Sequence, residues 1–268
     1  MESGLLCTVS DAVATVRLHH PAKRNAMTAA MWRELPVTLD RLAADPGVRA
    51  LVLTGSGDTF CAGADIADLR GDSTPQGLAV AAEEALAAFP RPTVAAVRGF
   101  CVGGGCQLAV ACDLRFAAED ARFGITPAKL GIAYPASSTR RLVGLVGPAT
   151  AKYLLFSAEL IDSGRALRTG LLDEVLPETA LDGRVTAFTR ALAGRSRLTQ
   201  AAAKEFAAGP VPPERAAHWQ RESEASGEAQ EGVAAFLERR TPRFTWPATL
   251  DGGPDTGPGN PGLTGLAR

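Results

Sequence analysis

Between Val97 and Asp113 the chain reads VRGFCVGGGCQLAVACD, and the three consecutive glycines Gly103, Gly104 and Gly105 restrict what this stretch can become. A β-branched run, Thr93 to Val97, precedes them and an apolar stretch follows. The glycines therefore stand where a strand gives way, through a turn, to the start of a buried helix. The first N–H groups of a helix have no intrahelical acceptor. With no side chain in the way a ligand can reach them, and the positive end of the helix dipole suits an oxygen that gains negative charge. Gly104 is accordingly expected to form one wall of an oxyanion hole. Close packing of a helix on a strand would use the same glycines, so the expectation needs a second feature.

That feature is Phe60 to Leu69, FCAGADIADL, directly after the strand-like Val48 to Thr54 and the turn Gly55-Ser56-Gly57-Asp58. The F-x-A-G-A-D-I-x-x-L and V-x-G-x-x-x-G-G-G-C-x-L-A-x-x-C-D runs resemble the crotonase superfamily, the enoyl-CoA hydratases and isomerases. Arg24-Asn25-Ala26-Met27, Phe123-Gly124, Leu130-Gly131 and EGVAAFLERRTPRF from Glu231 to Phe244 extend the resemblance over most of the chain in order. It implies an α/β fold in which β-β-α repeats wind as a spiral, followed by a C-terminal helical trimerisation region. The expected organisation is a core at 1–190 that binds acyl-CoA, an oligomerisation region at 191–246 and a disordered Gly/Pro-rich tail at 247–268. Coenzyme A would enter as part of the substrate, with no separate cofactor and no metal, and the assembly would be a homotrimer or homohexamer.

The same resemblance assigns the two oxyanion N–H groups to Ala64 and Gly104. It puts the coenzyme side of the site at Lys23, Arg24 and Ala26, and at Ala62, Asp65, Ile66 and Ala67. Lys23 and Arg24 serve equally well as solvated loop charges, and Asp65 and Asp68 as loop-to-helix caps. The polar Gly71 to Gly77 would be part of a mobile cover over the acyl group.

Two departures from the family pattern bear on chemistry. Hydratases use a pair of glutamates to move protons. One falls at Gln107 here. The other belongs to an F-G-x-P-E-x-x-L-G run, which here is Phe123 to Leu130 and Gly131, FGITPAKLG, with Pro127 or, in the shifted register, Ala128 at its place. Neither register supplies a carboxylate. Decarboxylation of a malonyl-type thioester survives that loss, because departing CO₂ leaves the electrons that the oxyanion hole stabilises. Thr126-Pro127, Leu130-Gly131 and Tyr134 are similar to the T-P-x-x-L-G-x-x-Y segment of methylmalonyl-CoA decarboxylase, so Tyr134 and Gln107 are the expected polar participants. That decarboxylase has histidine where this chain has Ala64. The alternatives are an atypical enoyl-CoA hydratase, with water positioned by Gln107, and a non-catalytic acyl-CoA-binding subunit.

Composition excludes other classes. With 28 basic against 29 acidic residues there is no electrostatic footprint for nucleic acid. The N-terminus lacks a basic segment followed by an apolar one, and no apolar run is long enough to span a bilayer, so a cytoplasmic enzyme is expected. Cys7, Cys61, Cys101, Cys106 and Cys112 form no C-x-x-C pair, and His19 and His20 would point to opposite faces of a strand, so reduced thiols and no metal centre are expected. In the helical regions, Thr28 is an expected N-cap for a helix carrying Met31, Leu35, Leu39 and Leu42, kinked at Pro36. Ser137 or Ser138 is expected to cap a helix over Thr139 to Leu145, and Pro148 to open the next. Glu119 and Asp120 are expected to be solvated.

Overall fold

The computed structural model describes residues 3–67 and 75–246. Strand β1 (Gly4–Ser10) pairs antiparallel with β2 (Val13–His19). Next to β2, strands β3 (Ala50–Gly55), β4 (Thr93–Val97), β6 (Leu114–Ala118) and β9 (Glu174–Leu176) add in parallel. A second sheet holds β5 (Phe100–Val102) parallel to β7 (Arg122–Gly124), with β8 (Ile161–Asp162) antiparallel to it. Each turn of the chain thus lays one strand in the large sheet, one in the small sheet, and then a helix. The turn after β3 follows the same course, since Cys61 bridges in parallel to Cys101.

Every residue of β3 and β4 is buried, as expected for parallel strands covered on both faces. One cover comes from α1 (Ala29–Ala44), α2 (Pro75–Ala87), α3 (Gly104–Ala111) and α4 (Ala136–Ser157), which share the main core with Leu51, Leu53, Ala95 and Val97. The other is α6 (Glu178–Ala193), whose Leu181 and Val185 pack on Val52, Val94 and Phe116. A short α5 (Ser163–Arg168) precedes β9. Beyond the spiral lie α7 (Arg197–Ala207), α8 (Pro213–Ser226) and α9 (Glu228–Leu237). Glu205 joins α7 to α8 by accepting from Arg215 at 2.7 and 2.8 Å and from the Trp219 indole at 2.8 Å.

Several expectations are corrected. Strand β1 had no clear signature, because GLLCTVS is an edge with little alternation. Ala12 sits in the turn before β2 with φ 62°, while Ala14, Val16 and Leu18 of β2 are fully buried. Helix α1 starts from Thr28, whose hydroxyl accepts from the Met31 N–H, and continues through Pro36. Helix α4 starts at Ala136 after Pro135, so neither Ser137 nor Ser138 caps it. Its backbone leaves helical geometry at Gly147 (φ 73°, ψ 164°), and Pro148 opens the second half. The expected cover at 71–77 lies partly outside the described residues, and Pro75 to Gly77 form the first turn of α2. Asp68 and the 247–268 tail also lie outside them.

Candidate active site

Alternation at a β-bridge fixes where one main-chain donor points. Met27 pairs in parallel with Ala64 through two bonds: its N–H donates to the Gly63 carbonyl at 2.8 Å, and its carbonyl accepts from the Asp65 N–H at 2.8 Å. Those bonds use the neighbours of Ala64, so the Ala64 N–H faces the opposite edge. On that side lies Gly104, the first residue of α3, whose N–H has no intrahelical acceptor. A Cβ on Gly104 would sit 3.5 Å from the Ala64 nitrogen and 2.9 Å from Cζ2 of Trp32. The missing side chain keeps that space open beside both donors. Gly103 reaches the helix start with φ 54° and ψ −117°, a conformation suited to glycine. Gly105 has a packing reason, because a Cβ there would lie 2.4 Å from the Cys61 carbonyl oxygen.

The two donors open on a cavity of about 160 Å³ that Ala62, Ile66, Trp32, Gln107, Thr126, Pro127 and Tyr134 help to line. Pro127 lines it, whereas Ala128, exposed in the 3-10 turn Pro127–Leu130, does not. Glu119 and Asp120 are exposed, as expected. Gln76 Nε2 ties α2 to the Ala133 carbonyl at 2.5 Å beside the cavity. Burial pushes the Tyr134 phenol well above its ordinary range, and the nearby Glu83 carboxylate acts in the same direction. The phenol is therefore a neutral donor at physiological pH.

The loop before the bridge is held by Asn25, in the left-handed region at φ 57°, whose amide donates to the carbonyls of Ser56 at 2.8 Å and Thr59 at 2.6 Å. Ala26 is buried, and its carbonyl accepts from His20 Nδ1 at 2.9 Å. Lys23 donates to both oxygens of Asp65 at 2.8 and 2.6 Å, and Asp65 also accepts from the Ala67 N–H at 3.1 Å, as a loop cap does. Arg24 lies over the Phe100 ring, 5.2 Å from its centroid. Ala62, Ala64, Ile66, Gly104, Gln107 and Tyr134 meet in the cavity, whereas Lys23, Arg24, Ala26, Asp65 and Ala67 do not line it. Burial pushes the Cys61 and Cys112 thiols up to about 12, so they behave as small apolar groups. No cluster among the described residues could hold a metal ion.

The bond from Lys23, reinforced by the Ala67 N–H, lowers the Asp65 pKa against the opposing effect of burial. A lowered carboxylate pKa stabilises the fold fully above the unfolded value, about 3.9, and ceases to do so as pH falls through the folded value. Asp65→Asn should therefore be less stable than the parent in urea titrations at pH 7, with the two curves converging in acid. Coincident curves at pH 7 would refute the contribution.

One functional group escaped the sequence reading. Glu83 of α2 is fully buried behind Gln107. Its Oε2 accepts from Gln107 Nε2 at 2.7 Å and from the Ser138 hydroxyl, and its Oε1 pairs with Arg141. The signal was present in the helix itself, for Ala79, Ala82, Glu83 and Leu86 share one face and all are buried. A charged residue in such a stripe marks a buried polar network.

A model of the enoyl-CoA hydratase/isomerase family matches residues 8–247. The chain belongs to that family. It is 35% identical over 251 residues to a crotonyl-CoA hydratase of Syntrophomonas wolfei, covering 87% of this chain and 95% of that protein. It is 32% identical over 256 residues to the 2,3-dehydroadipyl-CoA hydratase of Escherichia coli, covering 90% and 98%. Among solved structures, an enoyl-CoA hydratase/isomerase family member superposes with a TM-score of 0.85 at 38% identity, over 92% of this chain and 98% of the other. A putative family protein from Hyphomonas neptunium does so with a TM-score of 0.85 at 31% identity, over 91% and 98%. The mixed α/β spiral with helices at its C-terminal end is the fold of this family.

Proposed function

We propose that the chain is an acyl-CoA lyase that holds a thioester enolate between the N–H groups of Ala64 and Gly104, with no side-chain carboxylate touching the substrate. The observation that carries this reading is the composition of the cavity wall: among the described residues it includes no Asp, Glu, His or Lys, and Tyr134 is its one titratable group. A pair of converging N–H donors stabilises an enolate however it is formed. Without a protein base, the step that suits the pocket is one in which the substrate supplies the electrons, and decarboxylation of a malonyl-type thioester does so. The Tyr134 hydroxyl, kept protonated, orients the carboxylate or donates to the product enolate. Exposed Arg24 offers a cation for the coenzyme phosphates, while the charge of Lys23 is compensated by Asp65. Exposed Val233, Phe236 and Leu237 on α9 suit a contact between copies in a trimer or hexamer.

Mass spectrometry of acyl-CoA after incubation with methylmalonyl-CoA, ethylmalonyl-CoA and crotonyl-CoA tests the reading. Loss of CO₂ from a malonyl thioester is expected, and Tyr134→Phe should slow it by about tenfold or more. An unchanged rate would remove Tyr134 from the mechanism. Hydration is the second reading, favoured by the buried Glu83 behind Gln107 and by the hydratase names of the relatives. Addition of water to crotonyl-CoA, with malonyl thioesters left intact, would replace the first reading by the second.

A further inference from the structure

Glu83 decides which end of the Gln107 amide faces the cavity. A carboxylate only accepts hydrogen bonds, and an amide oxygen does the same, so the Nε2 end of Gln107 must face Glu83. Nε2 donates to Glu83 Oε2 at 2.7 Å and to Ser138 Oγ at 3.1 Å, which engages both of its hydrogens. The Ser138 hydroxyl donates its own hydrogen to the same Oε2, so Ser138 can only accept from Gln107. On the far side Arg141 Nη1 donates to Glu83 Oε1, and its Nη2 reaches Glu84 at 3.1 Å, which fixes the carboxylate in turn. Glu83 and Ser138 are each 0% exposed and Gln107 4%, so water does not compete for these bonds. Of Gln107, Oε1 alone remains for the cavity it lines.

We propose that Glu83 is a positioning residue that holds Gln107 with its carbonyl oxygen toward the acyl cavity, so that this wall selects a hydroxyl-bearing acyl chain or a bound water. The inference rests on the acyl-CoA reading above and refines its specificity. A group with a hydrogen to donate is accepted at this point. A malonyl-type carboxylate is turned away from Gln107, toward the Tyr134 hydroxyl.

Glu83→Gln tests the clamp because Arg141 has only donors. The oxygen of the new amide must stay toward Arg141, so its NH₂ meets Gln107 and Ser138. Gln107 then turns its carbonyl inward and presents NH₂ to the cavity. Equilibrium dialysis of the full chain with 3-hydroxybutyryl-CoA and with acetoacetyl-CoA, whose 3-keto oxygen can only accept, reads the change. The parent protein should prefer the hydroxyl by about tenfold, the scale of one net hydrogen bond. In Glu83→Gln the preference should vanish or reverse, and in Ser138→Ala, which leaves the bond to Glu83, it should persist. A uniform loss of affinity with the preference intact is what a packing role gives, and it would overturn the proposal. Gln107→Met must abolish the preference whether or not Glu83→Gln folds, and a preference that survives it would also overturn the proposal. Failure of the parent to bind either thioester would refute the acyl-CoA reading first, and the inference with it.

Discussion

Gly104→Pro is expected to lower kcat by about 10²–10³-fold, the usual effect of deleting one oxyanion donor, while the chain still folds. The backbone at this position accepts a proline. Gly104 is the first residue of α3, where proline is favoured because its missing N–H has no intrahelical role. Gly103 before it holds ψ −117°, outside the helical region that a following proline disfavours. What the new ring meets is the Trp32 side chain, 2.9 Å from the added Cβ. Gly104→Ala carries the same Cβ and keeps the N–H, so the difference between the two variants isolates the donor. The Cβ common to both must displace the buried Trp32 ring, so thermal melts should place the two together below the parent, and turnover of the thioester identified by mass spectrometry should separate them. Parent-like turnover in both would cancel the oxyanion assignment.

Gln107→Glu puts a carboxylate where the resemblance to hydratases would place one, yet it should not bring their chemistry. The new carboxyl would lie where Nε2 now approaches Glu83 at 2.7 Å, in surroundings closed to water. Two carboxylates at that separation cannot both ionise freely, so one proton is shared and one pKa rises. A rise of about two units corresponds to about 3 kcal/mol lost at alkaline pH. The sign follows from proton binding. Above the unfolded glutamate value, about 4.3, the folded variant binds more protons than the unfolded chain, so its stability falls as pH rises through the raised folded value. Denaturant titrations should show Gln107→Glu far below the parent at pH 8 and close to it at pH 5. Adding Glu83→Gln should restore much of the loss. A pH-independent deficit would mean that packing, and not charge, separates the variants.

The sequence carried the meeting of Ala64 and Gly104 more clearly than the surrounding polar network. Gly104 and Ala64 were legible because a glycine run before an apolar helix has few uses, and the FCAGADI stretch supplied its partner. Tyr134 and Gln107 came from spacing within the family pattern, and they do share the cavity with the two donors. Glu83 was hidden in an alanine-rich segment whose cover-like polar neighbour drew the attention, although its place on the apolar stripe was visible. Ser138 was assigned a capping role from local chemistry, and Pro135 opens the helix in its place. The hydroxyl is used 55 residues away in sequence, on Glu83. Local rules cannot anticipate such a contact, because the spiral, not the neighbouring residues, brings α2, α3 and α4 together. Strand β1 escaped for a simpler reason: only Leu5 and Cys7 pack against the core, too short an alternation to show a period.

Because both proposed oxyanion donors belong to the main chain, the site separates two kinds of inheritance. The part that steadies charge is written in backbone hydrogen bonds between Met27 and the residues on either side of Ala64, and in the start of a helix. Substitution of a lining side chain leaves it standing. The part that moves protons is written in side chains, and can be exchanged one residue at a time. A lineage built on such a frame can lose one reaction without losing the means to support an enolate, and drift toward another through re-lined intermediates that still bind their thioester.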